Sequence, residues 1–202
     1  MKLVDIPVVF ICPDHNEKYS ARKQHMFQLL DSIGFKSVTH FKSGTENYPT
    51  CLVKAFVEVL NSYLDDGPVI ILEDDIEPYL EINRETEFEM PEDTDAFYLG
   101  LSVNAGSKTQ NVNVGYAEIE KISDKHIRIH NMLGGHAILY KSLKYKERVI
   151  QELTNLFDKP HYHSDVVISR IQSEYKVYGY HHPLFYQSKV WGGDEIATRF
   201  KY

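Results

Sequence analysis

The first third of the chain alternates short apolar runs with helical periodicity. Val8 to Cys12 is a five-residue apolar run bounded by Pro7 and Pro13, which is the length and punctuation of a buried strand. Met26, Leu29, Leu30 and Ile33 then recur at helical spacing, with Ser20 available to cap the start and Gly34 placed for a left-handed C-terminal cap. Ser37 to Phe41 predicts a second short strand. Leu52, Ala55, Phe56, Val59, Leu60 and Tyr63 mark a second helical face, closed by Asp66-Gly67-Pro68. Val69 to Leu72 is continuously apolar, as expected of a strand covered on both faces, and the triplet Glu73-Asp74-Asp75 follows at its C-terminal end.

This alternation predicts an α/β fold with a Rossmann-like sheet flanked by helices. Ligands of such sheets bind beyond the carboxyl ends of the parallel strands, so Cys12-Pro13-Asp14 and Glu73-Asp74-Asp75 should share one rim. Further on, Ala96 to Leu101 reads as a strand, and Ala117 to Lys121 with Ile127 to Ile129 as a hairpin around Ser123-Asp124, where the sheet becomes mixed. His136 to Tyr140 is a strand behind Gly134-Gly135. Val149, Ile150, Leu153 and Phe157 predict a helix, and another starts at Ser164 and runs to Gln172. Lys176 to Gln187 is extended, with a break at His181-His182-Pro183. No repeat or linker interrupts the pattern, so residues 1–202 read as a single domain.

Composition narrows the function classes. A chain of 202 residues with 43% hydrophobic and 25% charged residues can bury one sizeable core and lacks the signature of disorder. A formal charge of -7 argues against a nucleic-acid partner, whose affinity depends on Lys and Arg. Cys12 and Cys51 have no paired spacing, which suits a reducing compartment and neither a disulfide framework nor a cysteine zinc site. Val8 to Cys12 is too short for a signal-peptide core, and no stretch reaches the roughly 20 apolar residues of a membrane span. The expectation is a soluble, cytoplasmic protein with no transmembrane segment.

Three consecutive carboxylates at the mouth of a buried strand repel one another unless a cation or backbone donors offset them. Carboxylate oxygens suit hard ions such as Mg2+ or Mn2+, which bridge one or two protein carboxylates to substrate phosphates. The plainer reading is a solvated acidic turn capping a short helix near Pro78. His161, His163, His181 and His182 lack a helix-spaced pair with a carboxylate and are not read as a zinc site.

Ile71-Leu72-Glu73-Asp74-Asp75-Ile76 resembles the acidic motif of the lipopolysaccharide-type glycosyltransferases, glycosyltransferase family 25. Arg22 followed by Met26, Leu29, Leu30 and Gly34 is similar to that family's first-helix pattern, and Asp95 to Gly100 to its next strand. Gly135-His136-Ala137-Ile138-Leu139 resembles its small-residue strand start, and Pro183-Leu184-Phe185-Tyr186-Gln187 its final segment. The likeness runs in the same order from Val8 to Ser188. Two positions depart from it: Cys12 or Pro13 stands where an asparagine is usual, and Cys51-Leu52 where Ser-His is usual. Small stand-alone enzymes of this type are also known from large DNA viruses.

The resemblance implies a GT-A fold and a metal-dependent enzyme that moves a sugar from a nucleoside diphosphate sugar, a uridine diphosphate sugar by family likeness, to a hydroxyl of a glycan or glycoprotein. Mn2+ or Mg2+ is the implied cofactor, held by the DxD-like triplet through Asp75 with Glu73 acting indirectly. The nucleotide-sugar contacts fall on Cys12, Pro13, Asp14, Arg22, Asp74, Gly134, Gly135, His136 and Gln187. His163-Ser164-Asp165-Val166-Val167 resembles the family's proline-valine-aspartate segment, which makes Asp165 the general base of an inverting reaction; a helix N-terminus also stabilises a carboxylate there. Trp191-Gly192-Gly193-Asp194-Glu195 is similar to the WGGED-type acceptor loop of β-1,4-galactosyltransferases, but follows the strand it should precede and is read as coincidence.

Two other classes stay open. A non-catalytic carbohydrate-binding or interaction domain of the same fold would leave the triplet without a purpose. A sugar nucleotidyltransferase expects a Gly-rich, basic loop after the first strand, whereas Pro13-Asp14-His15-Asn16-Glu17 is acidic and glycine-free.

Overall fold

The computed structural model describes residues 1–159 and 161–193. In chain order they form β1 (Val8–Cys12), α1 (Glu17–Ile33), β2 (Val38–Lys42), α2 (Thr50–Ser62), β3 (Val69–Glu73), β4 (Ile76–Pro78) and β5 (Ala96–Tyr98). There follow β6 (Asn104–Gly106), β7 (Asn113–Tyr116), β8 (Glu118–Lys121), β9 (His126–Asn131), β10 (Ala137–Tyr140), α3 (Leu143–Thr154), α4 (Ser164–Ile171), β11 (Val177–Tyr180) and β12 (Phe185–Gln187).

Among the described residues the main sheet has eight strands in the order β2-β1-β3-β10-β5-β11-β9-β8. β1 is parallel to β2 and β3, β10 runs antiparallel to β3 and β5, and β11 is again parallel to β5. The sheet is therefore mixed from β10 onward, as the hairpin in the middle of the sequence foretold. Two small antiparallel ribbons, β4 with β12 and β6 with β7, stand off the sheet at its rim.

Side-chain alternation along the strands divides the core between the two faces. Val8, Phe10 and Cys12 join Ile70, Leu72, Ala137 and Leu139 against α1, where Met26 and Leu30 are fully buried. Val9 and Ile11 join Ile71, Ile138 and Tyr140 against α2, α3 and α4. Burying a Met or Leu completely stabilises by about 1.5–3 kcal/mol, so these interleaved layers hold the strands in register. A strand covered on both faces has no polar position to spare, which is why Val69 to Leu72 is apolar throughout.

Several boundaries differ from the sequence reading. α1 begins at Glu17, three residues before Ser20, because the Asn16 side chain accepts from the Tyr19 amide at 3.1 Å and so caps the helix. Its end is as expected: Gly34, at φ 93°, donates its amide to Leu30. β5 stops at Tyr98, since Leu99 turns to accept from the amides of Leu184 and Phe185. α3 ends at Thr154, before Phe157. After the triplet the chain forms a strand, β4, and not the short helix near Pro78, because its residues pair with β12 at Ile76↔Gln187 and Pro78↔Phe185. Among the described residues no helix is long and apolar enough to cross a membrane.

Candidate functional site

The carboxyl ends of β1 and β3 lie side by side, with Ile11 paired to Glu73. The loop that follows β1 and the acidic turn that follows β3 thus open into one cleft. A cavity of about 420 Å3 there is lined by Pro13, Lys18, Arg22, the triplet, Gln187 and Gly192-Gly193. A second, of about 360 Å3, is lined by Gly134, Gly135, His136, Ser164, Asp165 and Ser102. Glu73, Gln187, Tyr48 and Leu52 belong to both linings and form the wall between them.

The turn after β3 concentrates like charge in a buried place. Asp74 and Asp75 are 7% and 8% exposed. Asp74 Oδ1 accepts from Arg22 Nη1 at 2.9 Å, a buried ion pair. The Gln187 amide donates to Glu73 Oε2 at 3.1 Å and lies 3.5 Å from Asp75 Oδ2, tying two carboxylates to one donor. These contacts leave Asp74 Oδ2 and Asp75 Oδ1 buried without a hydrogen-bond partner. Burial, and then the charge on Asp74, push the Asp75 carboxyl up to about 6 against the opposing pull of Arg22 and Gln187. Burial also raises Glu73 well above the usual carboxylate range, followed by the charges of Asp75, Asp165 and Asp74.

Partnerless buried carboxylate oxygens fit a hard cation, whose charge would relieve the repulsion that raises these groups. Among the described residues no group of three or more His, Cys, Asp and Glu side chains is arranged to hold a metal. The donor set therefore fits an ion carried on one or two carboxylates and completed by ligand oxygens, not an ion caged by protein alone.

The sequence-predicted residues fall into three sets. Pro13, Arg22, Glu73, Asp74, Asp75 and Gln187 line the first cavity, whereas Gly134, Gly135, His136 and Asp165 line the second. Cys12 and Asp14 line neither in the way the sequence suggested. Cys12 is fully buried against α1, its Sγ directed at the carbonyls of Pro13 and Tyr19, and burial pushes its thiol far above the usual range. Asp14 pairs with Lys23 at 3.0 Å.

In the second cavity Asp165 is held by two backbone donors. Gly134 N–H donates to Oδ2 at 3.2 Å and Val166 N–H to Oδ1 at 2.8 Å. Gly134 has φ 97°, a conformation favouring glycine, which turns its amide toward the carboxylate. A Cβ on Gly135 would sit 3.4 Å from Glu73 Oε1, so the small residues before β10 let the loop pass close to the triplet. His136 is 2% exposed, and burial lowers its imidazole to about 4.

One feature went unnoticed in the sequence, and a second was noticed and set aside. Tyr48 borders both cavities, sits edge-on to His163 at 5.9 Å between ring centres, and lies within electrostatic reach of Glu73 and Asp165. It follows β2 on the same rim, so the rule that selected the β1 and β3 loops could have selected it. The second is Trp191-Gly192-Gly193, whose two glycines line the first cavity. Trp191 O accepts from Arg22 Nη2, its indole stacks on His25 at 4.2 Å, and its Nε1 donates to Glu77 at 2.8 Å. Gly192 is at φ 90°, and a Cβ there would lie 2.7 Å from Arg22 Nη2. Asp194 and Glu195 lie outside the described residues.

A larger groove, about 1020 Å3, runs past Met1, Phe88, Met90 and Tyr180 and includes neither the triplet nor Asp165. Size does not decide here, because convergent polar groups with displaced carboxyl titrations mark the smaller cleft.

No family model matches the chain, and no curated protein matches it in sequence. Solved structures resemble it at low identity. One is a glycosyltransferase involved in the glycosylation of the major capsid of PBCV-1, with TM-score 0.42 and 7% identity over 72% of this chain and 65% of that one, just under two thirds of its length. Another is A197 from STIV, with TM-score 0.46 and 14% identity over 98% of each chain. A third is a Drosophila β1,4-galactosyltransferase 7 mutant in complex with manganese, UDP-Gal and xylobiose, with TM-score 0.41 and 11% identity over 96% of this chain and 76% of that one. These are likenesses of fold, and the chemistry of the site rests on its own residues.

Proposed function

We propose that the chain is a metal-dependent glycosyltransferase, of the type resembling family 25, that transfers a sugar from a nucleoside diphosphate sugar to a hydroxyl of a glycan or glycoprotein, with inversion. The observation that carries this reading is the division of one cleft by Glu73 and Gln187. On one side are Lys18, Arg22 and the buried acidic turn; on the other is Asp165, oriented by two backbone amides. Transfer of a group off a diphosphate needs these two environments next to each other.

A divalent cation bound at Asp75, with Glu73 behind it, would neutralise charge developing on the leaving diphosphate. Arg22 and Lys18 flank the same oxygens. Arg22 also holds Asp74 and the Trp191 carbonyl, so it fixes the turn and the strap that close this half of the cleft. Across the wall Asp165 accepts the acceptor hydroxyl's proton as that oxygen forms its bond to the anomeric carbon. The bond from that carbon to the diphosphate oxygen breaks, and its electron pair leaves with the diphosphate. Gly134 and Val166 orient the carboxylate for this step, which spares rotational freedom at the moment of attack.

A thermal-shift screen of nucleotide sugars with and without Mn2+ tests the reading. A ligand at 100 times its dissociation constant adds about 2.7 kcal/mol, or a rise of several degrees in Tm for a domain this size. A uridine diphosphate sugar should give that rise only with the cation. No rise with any nucleotide sugar, with or without Mn2+, would contradict it.

A further inference from the structure

His136 is not used by the chemistry above, yet it is seated with care. It is 2% exposed, it borders the cavity that holds Asp165, and neither of its ring nitrogens has a hydrogen-bond partner. Two glycines make room for the ring: a Cβ on Gly100 would lie 2.0 Å from Nε2, and one on Gly134 3.4 Å from Nδ1. A neutral imidazole carries one N–H donor and one acceptor nitrogen. Buried polar atoms are nearly always paired, so a ring with both left over points to a partner that arrives with the ligand. A hydroxyl, which donates and accepts, can pair with either nitrogen, one at a time, whichever tautomer the ring adopts.

The charges around the ring define what that ligand can be. The carboxylates bordering this cavity are Glu73 and Asp165, while Lys18 and Arg22 border the other cavity. The other polar residues bordering this cavity are His163 and amides and hydroxyls such as Ser102, Asn104 and Asn113. Among the described residues lining it, an anionic group would face two carboxylates with no lysine or arginine to offset them. We propose that this half of the cleft is the acceptor subsite, that it takes an uncharged sugar and not a phosphorylated or carboxylated one, and that His136 selects it by holding a hydroxyl neighbouring the one that reacts. This assignment rests on the transferase reading and moves His136 from the donor side, where the sequence placed it, to the acceptor side.

The test is an NMR titration of the full chain labelled with 15N-histidine, in Mg2+ and uridine diphosphate. The probes are methyl glycosides of glucose, galactose, mannose and xylose, with glucuronate and glucose 6-phosphate as the charged counterparts. At least one neutral glycoside should shift the His136 ring resonances, and the two anions should bind at least tenfold more weakly. His136→Leu should weaken the neutral glycoside at least tenfold and leave the affinity for uridine diphosphate within twofold. If that variant does not fold, the ring shifts of the parent protein decide. Anions binding as well as neutral sugars, or no neutral probe reaching the ring while uridine diphosphate binds, would overturn the subsite and leave the transferase reading standing. Failure of uridine diphosphate and every glycoside to bind would overturn both.

Discussion

Two buried polar clusters in this molecule are built in opposite ways. Behind the sheet, Gln172 is fully buried and its amide is fully occupied: Oε1 accepts from Met132 N at 2.7 Å, and Nε2 donates to the Tyr98 hydroxyl at 2.6 Å and to Met132 O at 2.9 Å. At the rim, Asp74 Oδ2, Asp75 Oδ1 and both nitrogens of His136 are equally hidden from water and have no partner. The first cluster lowers the energy of the folded chain by itself. The second raises it and is tolerable if something that binds there lowers it again. The Tyr140 and Tyr145 hydroxyls in the core also lack a partner, so what sets the rim apart is that its unpartnered groups include carboxylates converging at the strand ends.

Substitutions should therefore act with opposite sign at the two clusters. Gln172→Ala opens a cavity and strands three polar groups, and should cost about 3 kcal/mol in denaturant unfolding. A loss below 1 kcal/mol would mean that the interior network is not structural in the sense described. At the rim, Asp165→Asn keeps the shape and removes the base. Transfer should fall by about two orders of magnitude, equivalent to about 2.7 kcal/mol in the barrier, while Tm and nucleotide affinity hold. Near-parental transfer, or a product that keeps the donor's anomeric configuration, would remove Asp165 from its role.

Asp75→Asn should do what core substitutions do not and stabilise the protein. The folded-state carboxyl is raised to about 6, so the folded chain holds its proton more tightly than the unfolded chain does. Stability is then lost as pH rises between roughly 4 and 6, and the full penalty is present above that window. The asparagine variant should match the parent at pH 4 and exceed it by about 2 kcal/mol at pH 8 in the absence of divalent cation. Equal stability at both pH values would show that Asp75 carries no such penalty. The smallest effect is expected at Gly192→Ala. There a left-handed φ and the approach to Arg22 combine to cost about 1 kcal/mol, with a several-fold loss of nucleotide affinity by calorimetry if Trp191-Gly193 closes the donor side.

The same contrast explains what could be read in the sequence. β1, β3 and β10 are continuous apolar runs ended by small or charged residues, so their place and the rim they share were legible. The carboxylates that follow β1 and β3 came with those strand ends, while antiparallel β10 starts at the same rim behind Gly134-Gly135. What escaped depends on contacts across the chain. Trp191 meets Arg22 over 169 positions, and no local pattern announces that Trp191-Gly192-Gly193 will meet a cleft whose other residues lie mostly between 13 and 75. Cys12 packs in the core because a strand's last residue can face either the rim or the core, and here the alternation that puts Val8 and Phe10 against α1 carries Cys12 with them. The β4–β12 ribbon was missed because three-residue strands have too few positions to show a period.

We proposed that the partnerless carboxylates at the rim seat a cation-dependent nucleotide site. Calorimetric titration of uridine diphosphate tests it most directly, with Mn2+, with chelator, and with Mn2+ on Asp75→Ala. The account predicts measurable binding in the first case and at least tenfold weaker binding in the other two. Equal affinity in all three would contradict it.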